Sequence, residues 1–321
     1  MIISKTPLRI PFAGGLTDLK RYAEQYGGTT VSATIDKYIY CGIKTNVDGY
    51  INLKYMDVHE KISSIRDVRN PLIRETLRLT KLDQTPVDVY IMADLNSESG
   101  LGSSGALTIG LLHAMHRFKG EEVDKQQLIE EASHIEIDVL DSASGFHDPS
   151  ICALGGLRLL EYDGKTVTGR EVGMSDVQLQ IFQNRLMFFY SGRHFKTKPS
   201  LDILNNRMDE ALDTLAEIKS VAYDIEKALV GGDFINVGEC IQKQQTLKQN
   251  LPGKFSDEYV EQTMKKLNEL GAYAQIPGGK IGAFIMVYCP ENHQNKIRKE
   301  FADLNEIKIK LSQEGTIVTS L

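Results

Sequence analysis

Between residues 201 and 229, apolar side chains recur in steps of three and four: Leu201, Leu204, Met208, Leu212, Leu215, Ile218, Ala222, Ile225 and Leu229. That spacing puts them on one stripe, so a single long helix is predicted from about 201 to 230, closed by Gly231 and Gly232. Further helices are predicted over 234–250 and 257–270. The first half of the chain alternates shorter patterns. Residues 30–45 are rich in β-branched and aromatic types and read as strand. Residues 51–55 follow the turn at Asp48 and Gly49 and read as its hairpin partner. The stretch 86–92 alternates as a strand, and 103–118 reads as a helix. A helix over 125–140 places Leu128, Ile129, Ala132, Ile135 and Val139 on one face. A loop at 142–150, a strand at 157–162 and a polar stretch at 163–178 follow, the last marking a boundary. Strands are predicted at 185–190, 280–289, 306–311 and 315–320. The order is mixed α+β rather than a regular βαβ alternation. Two domains are expected, 1–175 and 176–321.

Composition narrows the class. The 321 residues are 41% apolar and 25% charged, enough for a sizeable core. A net charge of -6 points away from nucleic acid and anionic membranes as partners. Cys41, Cys152, Cys240 and Cys289 are widely spaced, which reads as buried thiols rather than a zinc or disulfide framework. No apolar run reaches the length of a membrane span, and the first residues lack the apolar core of a signal peptide. A cytoplasmic protein is expected, monomeric or homodimeric.

The strongest chemical signal is the string GLGSSG at 100–105, between a strand and a helix. Glycines let backbone approach a ligand, and a helix start presents free N–H groups to an anion. A plain helix cap is the bland alternative, but three glycines in six residues exceed what a cap needs. The same string fits the dinucleotide pattern G-x-G-x-x-G. That reading is weaker, because a polar segment including Glu98 separates the loop from its strand and the preceding architecture is a hairpin. A Walker A loop is absent: Leu159 stands where the first glycine before Gly164, Lys165 and Thr166 should be.

Two carboxylates are candidates for metal binding or for positioning a hydroxyl. Glu136 lies on the 125–140 helix, and Asp148 in the 142–150 loop before Pro149. A solvated helix residue and an ordinary turn residue are the competing readings. Near the N-terminus, the run from Arg9 breaks at Gly14 and Gly15, and Thr17 and Asp18 then offer groups that suit sugar hydroxyls. Thr17 could instead cap a helix over 18–26. Arg193, His194, Lys196 and Lys198 form the densest basic stretch, either an anion clamp or an exposed loop. His113 and His116 share a helix face, but no third metal ligand is apparent, so packing is the expected role.

Taken together, the order and spacing of these pieces resemble the GHMP kinases. The family motif P-x-x-x-G-L-G-S-S-A is similar to the string from Leu95 to Gly105, with Leu95 for the proline and Gly105 for the alanine. The sugar-kinase pattern R-x-x-x-x-G-x-x-T-D is similar to Arg9, Gly14, Thr17 and Asp18. The acidic loop of the family corresponds to the run from Gly145 to Asp148. Within the family, residues 6–18, 188–193 and 271–290 most resemble the heptose 7-phosphate kinases.

The resemblance implies a two-domain fold, with an N-terminal ribosomal S5 domain 2-like half and a C-terminal ferredoxin-like α/β sandwich. It implies ATP and Mg2+ as cofactors and phosphorylation of the anomeric hydroxyl of a small sugar or sugar phosphate, heptose 7-phosphate preferred. Galactokinase- or fucokinase-like activity on a free sugar, or a non-catalytic sugar sensor, are the alternatives. On this basis Gly100, Leu101, Gly102, Ser103, Ser104 and Gly105 hold the ATP phosphates, and Ser104 and Glu136 the metal. Asp148 acts as base or orients the hydroxyl, with Arg9 beside it. Gly15, Thr17, Asp18 and Arg193 bind the sugar. The family's third glycine motif departs here to Gly278, Gly279, Lys280, Ile281, Gly282, Ala283 and Phe284.

Overall fold

The computed structural model describes residues 1–95, 100–193, 197–279 and 281–321. Glu98, His194, Lys196 and Lys280 lie outside the described residues. The first half runs β1 (Ile2–Ala13), α1 (Lys20–Tyr26), β2 (Gly28–Thr45), β3 (Ile51–Tyr55), β4 (Val58–Ile62), α2 (Pro71–Leu79), β5 (Val87–Ala93), α3 (Ser103–Phe118), α4 (Lys125–Ser133), α5 (His147–Leu154), β6 (Leu157–Tyr162) and β7 (Val167–Glu171). The second half runs α6 (Asp176–Asn184), β8 (Leu186–Tyr190), α7 (Lys198–Asn206), α8 (Met208–Gly231), α9 (Phe234–Gln249), α10 (Glu258–Glu269), β9 (Tyr273–Gln275), β10 (Phe284–Tyr288), α11 (Glu291–Glu300), β11 (Asn305–Glu306), β12 (Leu311–Ser312) and β13 (Ile317–Ser320).

A nine-stranded sheet follows the order β13-β1-β2-β5-β3-β4, with β12 and β6 also on β2 and β7 on β6. The long β2 serves two neighbours in succession, β6 along its first third and β5 along its last. A four-stranded sheet follows β11-β8-β10-β9. Period-two alternation splits its two faces. Met187 and Phe189 pack with α10 and α11, whereas Phe188 faces the main core with Met286 and Tyr288. The sheets divide between β7 and β8, yet β12 and β13 return to the first sheet.

Several local expectations change. The hairpin partner of β3 is β4, and β5 lies between β2 and β3, parallel to β3. Asn46 and Asn52 both donate to Asp88 on β5, which ties the connecting loop to that inserted strand. The predicted 125–140 helix continues past Ser133 as a π-helical turn, His134–Val139. The wider turn shifts the register, so Glu136 points inward at 3% exposure and Val139 outward at 47%. The expected 201–230 helix is two helices broken at Arg207, with the apolar stripe continuing across the break through Leu204 and Met208. Residues 147–150, expected as loop, open α5, with Pro149 in its first turn where no N–H partner is needed. The short strands β7 and β9 lie in stretches too brief or too polar to show a period.

Candidate active site

Arg9 sits on β1 where the register with β2 slips between Pro7 and Arg9. A bulge of this kind re-aims a side chain. The Arg9 backbone donates to Leu101 O at 3.0 Å, and its Nη1 donates to Gly100 O at 2.8 Å. The glycine loop is thereby strapped to β1. Gly100 and Gly102 both have positive φ, and Gly102 is the left-handed residue that starts α3. A Cβ on Gly102 would stand 2.7 Å from Arg9 Cγ, so glycine is required for conformation and for space. Gly278 presses from the opposite side: a Cβ there would meet Gly100 O at 2.9 Å.

Arg9 then reaches Asp148 at the start of α5. Its Nε and Nη2 approach Oδ1 at 2.7 and 2.6 Å, and His147 Nδ1 approaches the same oxygen at 3.0 Å. Oδ2 has no partner among the described residues. Burial by itself would raise the Asp148 carboxyl, but the Arg9 guanidinium and the His147 ring override it and hold the group well below the usual carboxylate range. Asp18 is pushed the other way, upward, by burial first and then by the Asp148 charge, with His147 opposing. Its Oδ2 accepts the His147 backbone N–H at 3.1 Å, and its Oδ1 that of Leu16 at 3.2 Å.

Glu136 faces hydroxyls instead of cations. Thr108 Oγ1 donates to its Oε1 at 2.9 Å, Ser144 Oγ lies 3.5 Å from Oε2, and the Ser104 hydroxyl also bonds it. Burial dominates these contacts and raises the carboxyl to about 7. A carboxyl with no positive partner among the described residues, beside a serine on the glycine loop, is a hard oxygen pair that could hold a divalent cation together with phosphate oxygens. Among the described residues, no group of three or more His, Cys, Asp or Glu forms a metal cage.

These groups line one cavity of about 1030 Å³. Arg9, Gly15, Asp18, Gly100, Gly102, Ser103, Ser104, Glu136 and Asp148, all singled out in the sequence, lie in its wall. Four others do not. Thr17 is fully buried and neither caps α1 nor reaches the cavity; its hydroxyl donates to Gly14 O and accepts from Thr29 N. Leu101 is core. Gly105 is the contact between α3 and α5, where a Cβ would stand 2.7 Å from Pro149 N. Arg193 pairs with Asp257 at 2.7 Å and stacks over Tyr259, away from the wall. Lys198, from the same basic stretch, does line it.

The wall also contains groups that the sequence pattern did not mark. His147 carried a signal only through its adjacency to Asp148. Lys248 of α9 is 3% exposed and donates to Ile276 O at 2.5 Å and Gly278 O at 3.1 Å. Burial lowers its ammonium to about 7. It holds the 276–279 turn against the glycine loop. Gln244 accepts from Gly14 N at 2.8 Å. Leu72, Ile39, Ile91, Leu95 and Leu107 supply an apolar section, to which the β2–β5 pairing brings Ile39 and Ile91 while α2 and α3 add Leu72 and Leu107.

A glycine loop opening a helix, an arginine-clamped carboxylate and a second carboxylate beside the loop serine are the groups that phosphoryl transfer would call on. The strand that follows the loop, α3 and the helices after it, β6, pairs antiparallel with β2 and not parallel with β5, so the glycine loop does not open the parallel βαβ unit that a dinucleotide site requires. Residues 70–156 match the GHMP kinases N terminal domain, and the chain is similar to kinases of that family over most of its length. It is 23% identical over 319 residues to a D-glycero-alpha-D-manno-heptose 7-phosphate kinase of Campylobacter jejuni, covering 92% of each chain. It is 23% identical over 273 residues to a mevalonate kinase of Methanothermobacter thermautotrophicus, covering 84% of this chain and 86% of the other. Its fold matches a D-glycero-D-manno-heptose 1-phosphate kinase from Bacteriodes thetaiotaomicron at a TM-score of 0.83 and 20% identity, over 100% of this chain and 99% of that one. A Lactococcus lactis galactokinase complexed with galactose matches at a TM-score of 0.75 and 15% identity, over 100% and 95%. Among the described residues, no helix is long and apolar enough to cross a membrane.

Proposed function

We propose that the protein transfers the terminal phosphoryl group of ATP to the anomeric hydroxyl of a sugar phosphate, with D-glycero-D-manno-heptose 7-phosphate as preferred acceptor. The observation that carries this reading is the Arg9–Asp148 pair, whose arginine also grips the glycine loop. One side chain thereby couples the acceptor-orienting carboxylate to the phosphate cradle. The likeness to heptose phosphate kinases supports the acceptor class.

In this reading the N–H groups of Ser103 and Ser104 at the start of α3 bind phosphate oxygens. The apolar section takes the adenine. Glu136 and Ser104 would hold Mg2+, which when bound offsets charge on the phosphates. Asp148 Oδ2 accepts the hydrogen bond of the sugar hydroxyl and aligns its oxygen with the terminal phosphorus. A carboxylate held so far below its usual range is a weak proton acceptor, so its contribution is orientation. As the new O–P bond forms and the bond to the ADP leaving oxygen breaks, the hydroxyl proton passes to a transferred phosphoryl oxygen. Gly15 and Asp18 would border the sugar, and Lys198, which lines the cavity, would supply a cation for a distal phosphate. The chain would work as two units, 1–175 and 176–321, in the cytoplasm, as a monomer or homodimer. The withdrawal of Arg193 onto Asp257 favours one second reading, a galactokinase- or fucokinase-like enzyme acting on a free sugar.

A panel pairing each free sugar with its phosphate, assayed for ADP formation, tests both. Turnover is expected with heptose 7-phosphate, and D148N should reduce kcat by about 10²-fold through lost orientation of the hydroxyl. No ADP release with any sugar or sugar phosphate would overturn the kinase assignment. Turnover confined to free sugars would select the second reading.

A further inference from the structure

The cavity wall is unevenly charged. Its four carboxylates, Asp18, Asp57, Glu136 and Asp148, all come from the first half of the chain. Among the described residues, the second half adds no carboxylate to the wall, but two lysines, Lys198 and Lys248, and two glutamines, Gln244 and Gln275. Gln275 has its donors in use, because Nε2 bonds Pro11 O and Phe12 O. Lys198 is exposed and shares its charge with Asp202 on its own helix at 3.4 Å. Gln244 and Lys248 lie one turn apart on α9 and are buried, at 4% and 3% exposure.

Gln244 is set in one orientation. Its Oε1 accepts from Gly14 N at 2.8 Å, which only the oxygen end of an amide can do, so the NH2 end is the free one. Nε2 has no partner among the described residues, yet it is not one of the partnerless atoms sealed from solvent, which are Ser133 Oγ, His147 Nε2 and Gln245 Nε2. It is therefore reachable, and the open space that Gln244 borders is the cavity. Lys248 gives two of its three protons to Ile276 O and Gly278 O, and burial is the sole cause of its lowered ammonium, with no carboxylate acting on it. Carbonyls satisfy its hydrogen bonds but leave a buried positive charge without a counter-charge.

A donor facing the cavity and an unbalanced cation one turn further along the same helix call for one ligand chemistry, an anionic oxygen. The nucleotide phosphates have their own seat at the start of α3, whereas Gln244 is bonded to the turn from Gly14 to Asp18, on the acceptor side. We infer that Gln244 and Lys248 seat the distal phosphate of a phosphorylated acceptor, with Gln244 Nε2 donating to a phosphate oxygen and the Lys248 ammonium balancing its charge. This rests on the kinase reading above and places the choice between a sugar phosphate and the free sugar on α9.

Two substitutions in the full-length protein test it. Q244E keeps the acceptor for Gly14 N and exchanges the donor for a negative oxygen; Q244M removes the donor without adding charge. Calorimetric titrations of D-glycero-D-manno-heptose 7-phosphate and of the free heptose, without nucleotide, give two Kd values whose ratio is the preference for the phosphate. Taking the ratio cancels any damage to the pocket that both sugars feel. The preference is expected to fall about tenfold in Q244M, the loss of one hydrogen bond to a charged group, and at least about 30-fold in Q244E, where repulsion is added. The ATP KM of Q244E is expected to stay within about threefold of wild type. A glutamine that only holds Gly14 would weaken both sugars alike in Q244M and neither in Q244E. An unchanged preference in both variants overturns the inference, and so does a raised ATP KM with the preference intact, which would give the amide to the nucleotide. A wild-type protein that phosphorylates sugars but binds the two equally overturns the inference and leaves the kinase reading standing. Preference lost as expected in a protein that releases no ADP with any acceptor overturns the kinase reading instead.

Discussion

Glu136 and Asp148 share one cavity, yet their surroundings drive them in opposite directions. Asp148 has two cation-bearing nitrogens of Arg9 on one oxygen and stays ionised. Glu136 has only hydroxyl donors among the described residues, and burial raises it to about 7. A group raised from 4.5 to about 7 in the folded state contributes stability that is full below 4.5 and lost as pH rises through 7. The protein without metal should therefore melt at lower temperature at pH 8 than at pH 6. E136Q keeps the bonds to Thr108 and Ser144 and removes the charge. Its melting temperature at pH 8 is expected about 2–4 °C above wild type, with ADP formation down by at least about 10²-fold. A variant that melts below wild type at pH 8 would show that the carboxylate is not the strained group. Both residues could be picked out in the sequence as candidates. Their opposite characters could not, because the partners that set them lie 28 and 139 positions away.

At the scale of elements, α3 is fastened to its neighbours by His116. Its Nδ1 and Nε2 each lie 2.7 Å from a carboxylate, Glu121 in the following turn and Glu131 on α4. The Glu131 bond is the main cause of a raised imidazole, against a desolvation that opposes it. The sign is that of a histidine gaining partners: stability is complete below the ordinary 6.5 and is lost as pH climbs through the higher folded value. H116A should flatten the decline in melting temperature between pH 6 and 9 relative to wild type. Scanning fluorimetry across that range would show it, and an unchanged slope would rule the clasp out as its source. Packing was the role expected for His113 and His116 on their shared helix face; in the structure His116 pairs with two glutamates, and His113 bonds Thr316 at 3.1 Å and is lowered to about 4 by burial. Helices with a clear stripe, such as α3 and α9, were legible to within a residue. The break at Arg207 was not, since a stripe continues unaltered across a single non-helical residue.

At the scale of the molecule, the two halves share one core. Leu8, Ile10 and Val31 of the first sheet sit in the same apolar cluster as Val221, Ile225 and Leu229 of α8 and Ile241 of α9. Gln275 Nε2 adds hydrogen bonds to Pro11 O and Phe12 O. The first sheet also depends on β12 and β13 from the end of the chain, which cover β2 and the outer edge of β1. A fragment of residues 1–175 loses that cover and exposes a β1 edge. It is expected to show no cooperative thermal transition by circular dichroism where the full chain does. A sharp melt of the isolated fragment would show instead that the first sheet needs neither α8 nor β13.

The sequence by itself determined the local features whose cause is local. The glycine loop is one, because positive φ demands glycine at 100 and 102. The amphipathic helices and the strand stretches of β2, β5 and β6 are others, because side-chain period follows from backbone geometry. It also brought out the Arg9, Asp18, Glu136 and Asp148 set through spacing shared with a known family. Only the tertiary structure decided which of those candidates face the cavity. Thr17 and Arg193 carry suitable chemistry, but their partners at Thr29 and Asp257 turn them away. His147, Lys248 and Gln244 carry no motif, and they enter the site because α5 and α9 pack there. Long-range pairing, such as β5 between β2 and β3 or β13 on β1, depends on which edges meet. No short-range pattern encodes that choice, since a strand's alternation specifies its faces and leaves its neighbours open.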